Sequence, residues 1–534
     1  MTEIRDAIII GAGAAGAAAA WRLATSGIDV LCLEQGGWVD PASSPSSADD
    51  WEIRRQQDWH PNPNIRQAAS DYPIDDSTSP IRPLMYNGVG GSTVMWSCHI
   101  PRFHPSDFRT FSLDGVGDDW PVSYEDLAPY YDLNEAMMGV AGQAGHGAYP
   151  EMGEGRLPAA PLGKPGRRMA DCFDDLGWSW WPADLAVNTA SHMGRDACNN
   201  CGPCELYCPT GSKGSVDQTY WPAALDAGAE LRTGARVLRI ETDADGHASA
   251  VIWRDGNGIV QETRARTILL AANGIGSARI LLMSESGRHP QGLSNRSGLV
   301  GRRLMLHPLA RVSACFDEPM DGHLGITAGG FVSHHFYETN MSRGFPRGVK
   351  LQMLGTHGPA LTALGSLGKR MGWGADHHRQ FAKYFGRSFS LSVCADDMPD
   401  TENRIVLNSE RTDSDGLPSA QMIYRVSEDA RAALDFGMDR AREALAHAGG
   451  TGFVEMDLVA DAGFHLMGTA RMGNDRETSV LDSWCEAHDT PGLFVIDGSS
   501  FVTGAAVNPT NTLQALALRA ADRIRETRRE RGSH

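Results

Sequence analysis

The sequence predicts an α/β fold: a Rossmann-like domain assembled from the first and last parts of the chain, with α+β material inserted between them. Three observations predict it. A strand–glycine turn–helix–strand unit opens the chain, strand texture returns at 231–270, and a buried strand followed by a long helix closes it at 493–528.

Residues 6–10 (DAIII) form an apolar run suited to a buried strand. The turn G-A-G-A-A-G follows, with glycines at Gly11, Gly13 and Gly16, and the alanine-rich stretch to Thr25 reads as a helix stopped by Gly27. Asp29 to Leu33 (DVLCL) is a second strand, ending at Glu34. In such a unit the glycines allow a tight turn and close backbone approach to a pyrophosphate seated on the helix N-terminus. Glu34, 18 residues past Gly16, is placed to accept ribose hydroxyls. A fortuitous Gly/Ala-rich turn would not explain the second strand and its terminal acid, so a dinucleotide is the expected ligand.

From about 38 to 80 the chain is rich in Pro, Ser, Asp and Trp without a clear period, which predicts a long excursion over the surface or across a cleft. Three strand-like runs occupy 231–270 (ARVLRIETD, ASAVIWRD, ARTILLAAN). Residues 310–460 hold further strands such as SFSLSVCA and a helical segment at 427–448. LFVIDGSS at 493–500 is one more buried strand, and 510–528 is a helix. No internal repeat or low-complexity tract interrupts this order.

A chain of 534 residues is long enough for two to four domains at about 150 residues each. Forty-eight basic against 66 acidic residues leave a net charge of −18, which argues against nucleic acid or an anionic membrane surface as a partner. Apolar residues at 41% and charged residues at 21% fit a folded globular protein and not a disordered one. The longest uncharged apolar run, Ala7 to Trp21, has 15 residues, short of the roughly 18 a membrane span needs. The leader MTEIRD carries Glu3 and Asp6 against Arg5, unlike the basic start of a signal peptide, so the cytoplasm is the expected compartment.

Four of the ten cysteines lie within eleven positions: Cys198, Cys201, Cys204 and Cys208, spaced C-x2-C-x2-C-x3-C and followed by Pro209. This is the bacterial ferredoxin spacing, in which closely spaced thiolates wrap an iron–sulfur cluster. One such run most naturally supplies three local ligands, as a [3Fe–4S] centre needs, or four for a [4Fe–4S] centre if Cys208 or a remote ligand folds back. A four-cysteine zinc site, with unusually crowded pairs, and a metal-free loop or local disulfides stay open as alternatives. Cys32, Cys98, Cys172, Cys315, Cys394 and Cys485 are scattered and are expected in core packing.

Taken together, these blocks resemble the glucose–methanol–choline (GMC) flavoprotein oxidoreductases over nearly the full length. They are GAGAAG with Glu34, NGVGGSTVMWSCHIPRF at 87–103, DWPVSYEDLAPYY at 119–131, LLAANGIGSARILLMS at 269–284, HLMGTARMG at 465–473, and LFVIDGSSFVTGAAVNPTNTLQALALRAADRI at 493–524. The 87–103 block is most similar to the pyranose oxidases and the bacterial FAD-dependent sugar dehydrogenases. The resemblance implies a Rossmann-like FAD-binding domain from 1–40, 80–110, 200–310 and 460–534. It implies an α+β substrate-binding domain and cap from 41–79, 111–199 and 311–459, with a cysteine-cluster loop at 195–215.

It also implies FAD in extended form, with Gly90 and Gly91 letting backbone pass close to the cofactor and Ser92 and Thr93 donating hydrogen bonds to it. Val237 matches a backbone contact to adenine, Asp497 and Gly498 lie near the ribityl chain, and Asn508 and Thr510 complete the contacts. In pyranose oxidases a histidine just before the tryptophan of the glycine block is joined covalently to FAD. That position is Met95, whose thioether cannot replace an imidazole nucleophile, so non-covalent FAD is expected.

His465 matches the family's catalytic histidine, and Asn508 takes the second position, His or Asn in the family. Oxidising an alcohol by hydride transfer to flavin N5 requires removal of the hydroxyl proton, a task suited to neutral imidazole. An amide can orient a hydroxyl but cannot take its proton, so the base role falls on His465. His307, in LMLHP, has a family-like neighbourhood and is read as structural.

The expected activity is therefore FAD-dependent oxidation of a CH–OH group of a sugar, glycoside or related alcohol. Electrons would leave through an iron–sulfur centre to an acceptor other than O2, such as a dye, a quinone or a cytochrome-like protein. Some related sugar dehydrogenases work with a small accessory subunit bearing an export signal, which would place the enzyme in the periplasm. The alternatives are a peroxide-producing oxidase of the pyranose-oxidase type, an aryl or aliphatic alcohol dehydrogenase, and a hydroxynitrile lyase with structural FAD. The aromatic run LGWSWWP, with Trp178, Trp180 and Trp181, would suit sugar rings or aryl groups equally.

Overall fold

The computed structural model describes residues 4–532 apart from 148, 151, 152, 154, 327, 328, 356, 357 and 366–370. At its centre is a seven-stranded sheet built from both ends of the chain. Strand β1 (Ile4–Ile10) lies between β2 (Val30–Leu33) and the long strand Val260–Leu270, parallel to both. Helix α1 (Ala14–Ala24) connects β1 to β2, which is the expected βαβ unit. Ala7–Ile10 and Val30–Leu33 are buried on both faces, as the apolar runs require of a covered parallel sheet.

The strand Val260–Leu270 begins five residues before the expected run at Ala265, and its two halves differ. Its first half pairs antiparallel with Ala248–Arg254 in a half-exposed hairpin, while its last residues lie between β1 and the strand Leu493–Val495. LFVIDGSS is thus a strand only over Leu493–Val495, and Gly498–Ser500 is a single helical turn capped by Asp497. The closing helix, Thr510–Gly532, packs against α1, whose alanines allow close approach. Arg22 donates to both carboxylate oxygens of Asp522 at 2.7 and 3.0 Å, tying the two ends of the chain together.

A second, antiparallel sheet has six strands, in the order Thr451–Met456, Leu309–Cys315, Ser388–Ala395, Val349–Leu354, Phe331–Ser333 and Trp181–Pro182. Period-two alternation divides it. Val349, Leu351, Met353, Phe389, Leu391 and Val393 form a core with the helix Glu428–His447, while Lys350, Gln352, Ser392 and Cys394 stand on the opposite side, lining a cavity. The helix lies so close that a Cβ at Gly437 would come within 2.3 Å of Val393 Cγ1.

The excursion at 38–80 holds two one-turn helices, Trp51–Arg54 and Pro63–Arg66, and a strand, Ile74–Thr78. That strand pairs parallel with Pro418–Ile423, which also pairs with Arg404–Thr412. Among the described residues no helix is long and apolar enough to cross a membrane.

Candidate active site

A cavity of about 340 Å³ runs between the two large sheets. At one end lies the glycine turn. Gly11 has φ +102°, and a Cβ there would sit 2.5 Å from the Ala271 carbonyl oxygen; a Cβ at Gly16 would sit 2.0 Å from that of Gly11. Gly13 opens α1, whose N-terminus has no side-chain cap, so backbone N–H groups are left for an anion. Gly91, at φ +53°, crosses this terminus so closely that its Cβ would meet Gly13 Cα at 2.7 Å. Gly90, at φ +101°, donates its N–H to the Ala12 carbonyl at 3.0 Å.

Glu34 is buried and accepts from Ala12 N and Gly36 N, both at 2.9 Å, which fixes the turn and keeps its remaining lone pairs available. Asp497 accepts from Ser277 Oγ at 2.5 Å and from Ser499 N at 2.9 Å. A Cβ at Gly498 would meet the Leu466 carbonyl oxygen at 2.5 Å. Trp96 also lines the cavity, and its buried indole N–H has no partner among the described residues.

This cradle fits an extended dinucleotide. Gly11, Gly13, Glu34, Gly91, Ser92, Thr93, Val237, Asp497, Gly498, Asn508 and Thr510 all line the cavity, and so does Met95. Gly16 and Gly90 do not; they act one layer back, allowing α1 and the 87–103 block to close on the turn. The hydroxyls expected as donors diverge. Thr93 Oγ1 donates to the Gly90 carbonyl at 2.6 Å and accepts from Val216 N, so its donor is spent inside the loop, whereas Ser92 is exposed.

At the other end, two segments far apart in sequence pair antiparallel. Met305 and Met467 exchange backbone hydrogen bonds, which sets His307 opposite His465. His307 adopts φ +58° and is wholly buried. Asp397 holds its turn by accepting from Leu306 N and Tyr424 OH, both at 2.8 Å.

The proton positions follow from the partners. A carbonyl only accepts, so His307 Nε2–H donates to the Gly504 oxygen at 2.9 Å. Neutral His307 then presents Nδ1 as an acceptor, and His465 Nδ1–H donates to it at 2.8 Å. This leaves His465 Nε2 without a hydrogen. An ammonium only donates, so Lys350 Nζ donates to Asn508 Oδ1 at 2.6 Å, and the Asn508 amide N–H faces His465 Nε2 at 3.4 Å. Burial, then the neighbouring charges of His307, Lys350 and His99, push the His465 imidazole well below its usual range. Burial likewise lowers His307 to about 4.

His465 and Asn508 are thus brought together on the cavity wall. Sequence reasoning missed Lys350 altogether and gave His307 no contact with the base. The family-like neighbourhood of His307 in LMLHP was its one signal, and nothing local marked Lys350.

The cysteine loop lies beside this site, outside the cavity. Lys213 Nζ donates to the carbonyls of Val94, Cys204 and Leu206, each at 2.7 Å, and so binds the loop to the glycine block. Glu205, paired with Arg55, reaches the cavity. Cys198, Cys204 and Cys208 are half-buried and Cys201 is exposed. Among the described residues no group of three or more His, Cys, Asp or Glu side chains is arranged to hold a metal ion. The iron–sulfur ligand set expected from the spacing is therefore not supported by the structure. The other six cysteines are buried as expected.

Family models described as GMC oxidoreductase match residues 5–309 and 399–517. The chain is 41% identical to 2-methyl-1,2-propanediol dehydrogenase of Mycolicibacterium austroafricanum, over 97% of this chain and 95% of that one. It is 32% identical to paromamine 6'-oxidase of Streptomyces fradiae, covering 98% and 91%. It is 30% identical to the fructose dehydrogenase large subunit of Gluconobacter japonicus, covering 97% of each. Among solved structures, pyridoxine 4-oxidase from Mesorbium loti aligns with a TM-score of 0.68 at 18% identity, over 97% of this chain and 99% of that one. Formate oxidase aligns with a TM-score of 0.68 at 15% identity, over 99% and 100%. These two similarities show the fold.

Proposed function

This chain belongs to the GMC oxidoreductases, FAD flavoproteins that act on the CH–OH groups of alcohols and sugars, and on that premise we propose that it is a dehydrogenase of a small polyhydroxylated alcohol, a diol or a sugar. The observation that carries the reading is the hydrogen-bond chain that leaves His465 Nε2 without a hydrogen on the cavity wall, facing only the long Asn508 contact at 3.4 Å.

His465 Nε2 takes the proton of the substrate hydroxyl, and the Asn508 amide N–H directs the hydroxyl oxygen toward it. The glycine cradle, with Glu34 and Asp497, would hold FAD, which would supply the two-electron acceptor for the hydride of the carbinol carbon. The carbon becomes a carbonyl, and the hydroxyl proton is left on His465 Nε2. Met95 offers no nucleophile for a covalent link, so the cofactor is held by the cradle alone. Gln352 and Ser392, on the cavity side of the six-stranded sheet, supply hydrogen-bonding groups for neighbouring hydroxyls, as a diol or sugar requires. The relatives named for 2-methyl-1,2-propanediol and fructose support that class.

The same two relatives are named dehydrogenases, which supports an acceptor other than O2: a dye, a quinone or a cytochrome-like protein. No metal-holding group of side chains is found among the described residues, so no electron route is drawn through the four thiols.

Anaerobic addition of diols, sugars, aryl alcohols and aliphatic alcohols tests the reading. Diols or sugars are expected to bleach the bound flavin, and air is expected to restore it slowly, with no more peroxide than the two electrons of each flavin account for. Rapid peroxide formation would make the enzyme an oxidase, and failure of every alcohol to bleach the flavin would end the proposal.

A further inference from the structure

Lys350 is the second residue of the strand Val349–Leu354, which lies between Phe331–Ser333 and Ser388–Ala395, and it is 3% exposed. It points to the cavity side of the sheet, as Gln352 does. Its ammonium donates to Asn508 Oδ1 at 2.6 Å, and it forms no ion pair with a carboxylate among the described residues. Burying a cation without a counter-ion is costly, and a methionine or leucine of similar volume would pack the same position more favourably. Packing therefore does not account for this lysine.

We propose, resting on the alcohol-oxidising reading above, that Lys350 is a positioning residue of the site, fixing the Asn508 amide with its oxygen toward the ammonium and its N–H toward His465 Nε2. An asparagine amide has nearly the same shape in its two flips, so sterics alone do not choose between them. In the reversed flip Oδ1 would face the Nε2 lone pair, two acceptors would meet, and the substrate hydroxyl would donate to the amide oxygen instead of the base. A group that only donates decides the matter.

The ammonium also acts through space. Cys394 faces it across the neighbouring strand, with Asp396 and Asp397 beyond, and its charge reaches His465, His307 and His334. A positive charge there favours the neutral imidazole of His465, which is the form that accepts a proton.

The test compares the parent with Lys350→Met, which removes donor and charge, and Lys350→Gln, which keeps a donor without the charge. In Lys350→Met the limiting rate of flavin reduction should fall by about tenfold or more, with FAD content unchanged. The acid limb of its pH profile should move up by about half a unit or more. In an Asn508→Ala background the same substitution should slow reduction by less than about threefold, because Lys350 acts through Asn508. Lys350→Gln should recover part of the rate while keeping the shifted limb. An unchanged rate in Lys350→Met, or a full additive loss in the double variant, overturns the proposal. If Lys350→Met loses FAD, Lys350→Gln and the titration of the His465 imidazole in [15N]histidine-labelled protein decide instead, with equal titration in parent and variant overturning it. That titration also separates the two proposals, since it needs no substrate. A parent enzyme that no alcohol reduces defeats only the proposed function.

Discussion

His307 and His465 are cross-strand neighbours whose Nδ1 atoms lie 2.8 Å apart, with their ring planes at 79°. Since His307 spends its one hydrogen on the Gly504 carbonyl, its role is to hold the hydrogen of His465 on Nδ1 and so leave Nε2 bare. Replacing His307 by Phe removes that control and strands a buried carbonyl. The limiting rate of flavin reduction is expected to fall by about 10- to 100-fold, and stability by about 1–3 kcal/mol, while FAD stays bound. Stopped-flow reduction and thermal unfolding check both; a parental reduction rate would make His307 structural after all.

Replacing His465 by Ala takes away the base itself. Reduction of the flavin by substrate is expected to slow by about 10³-fold, with the visible spectrum of the bound cofactor intact. Turnover retained in a well-folded variant would remove His465 from the mechanism.

The contrast between these histidines shows what the sequence makes legible. The βαβ unit could be read because its causes are local: apolar runs, glycines that no other residue can replace, and an acid at the strand end. His465 and Asn508 sit in motifs. The partner of His465, by contrast, comes from 158 residues away and depends on the register of two short segments. Lys350 breaks the usual expectation for a strand lysine, because the side of the sheet it occupies faces a cavity and not water. Ile74–Thr78 (IDDST) is too polar to read as a strand and is one only because Pro418–Ile423 offers it an edge. The spacing of four thiols likewise does not by itself gather a ligand set, and none is found among the described residues.

Met95 bears on the cofactor linkage. It lines the cavity where a covalent attachment would form, and its thioether is not a nucleophile comparable to imidazole. Acid precipitation should leave yellow FAD in the supernatant. Colour that stays with the pellet would contradict non-covalent binding.

The thiols stand outside the cavity, and only Glu205 of their loop reaches it. Substitution of both Cys201 and Cys204 by Ser should therefore leave substrate reduction of the flavin within about twofold of the parent, because no group at the reacting end moves. The cysteine spacing expects iron and acid-labile sulfide in the parent and slower reoxidation by a one-electron dye in the variant. A parent with neither iron nor sulfide makes the loop a structural strap held by Lys213.

The dependence of flavin reduction on pH follows from two shifts of the same sign. His465 must be neutral to accept a proton, and burial followed by the charges around it pushes its imidazole well below the usual range. The neutral form is then fully present at the ordinary imidazole value of about 6.5 and is lost only as pH falls further. Lys350 must be charged to hold Asn508, and burial lowers its ammonium to about 8. Its charge is present below that value and is lost as pH rises through it. The limiting reduction rate should be flat between about pH 6.5 and 7.5, fall on the acid side only below that range, and fall on the alkaline side near 8. Lys350→Met should lack the alkaline limb. An acid limb at 6.5 or above in the parent would mean that His465 is not the buried, charge-flanked base described above.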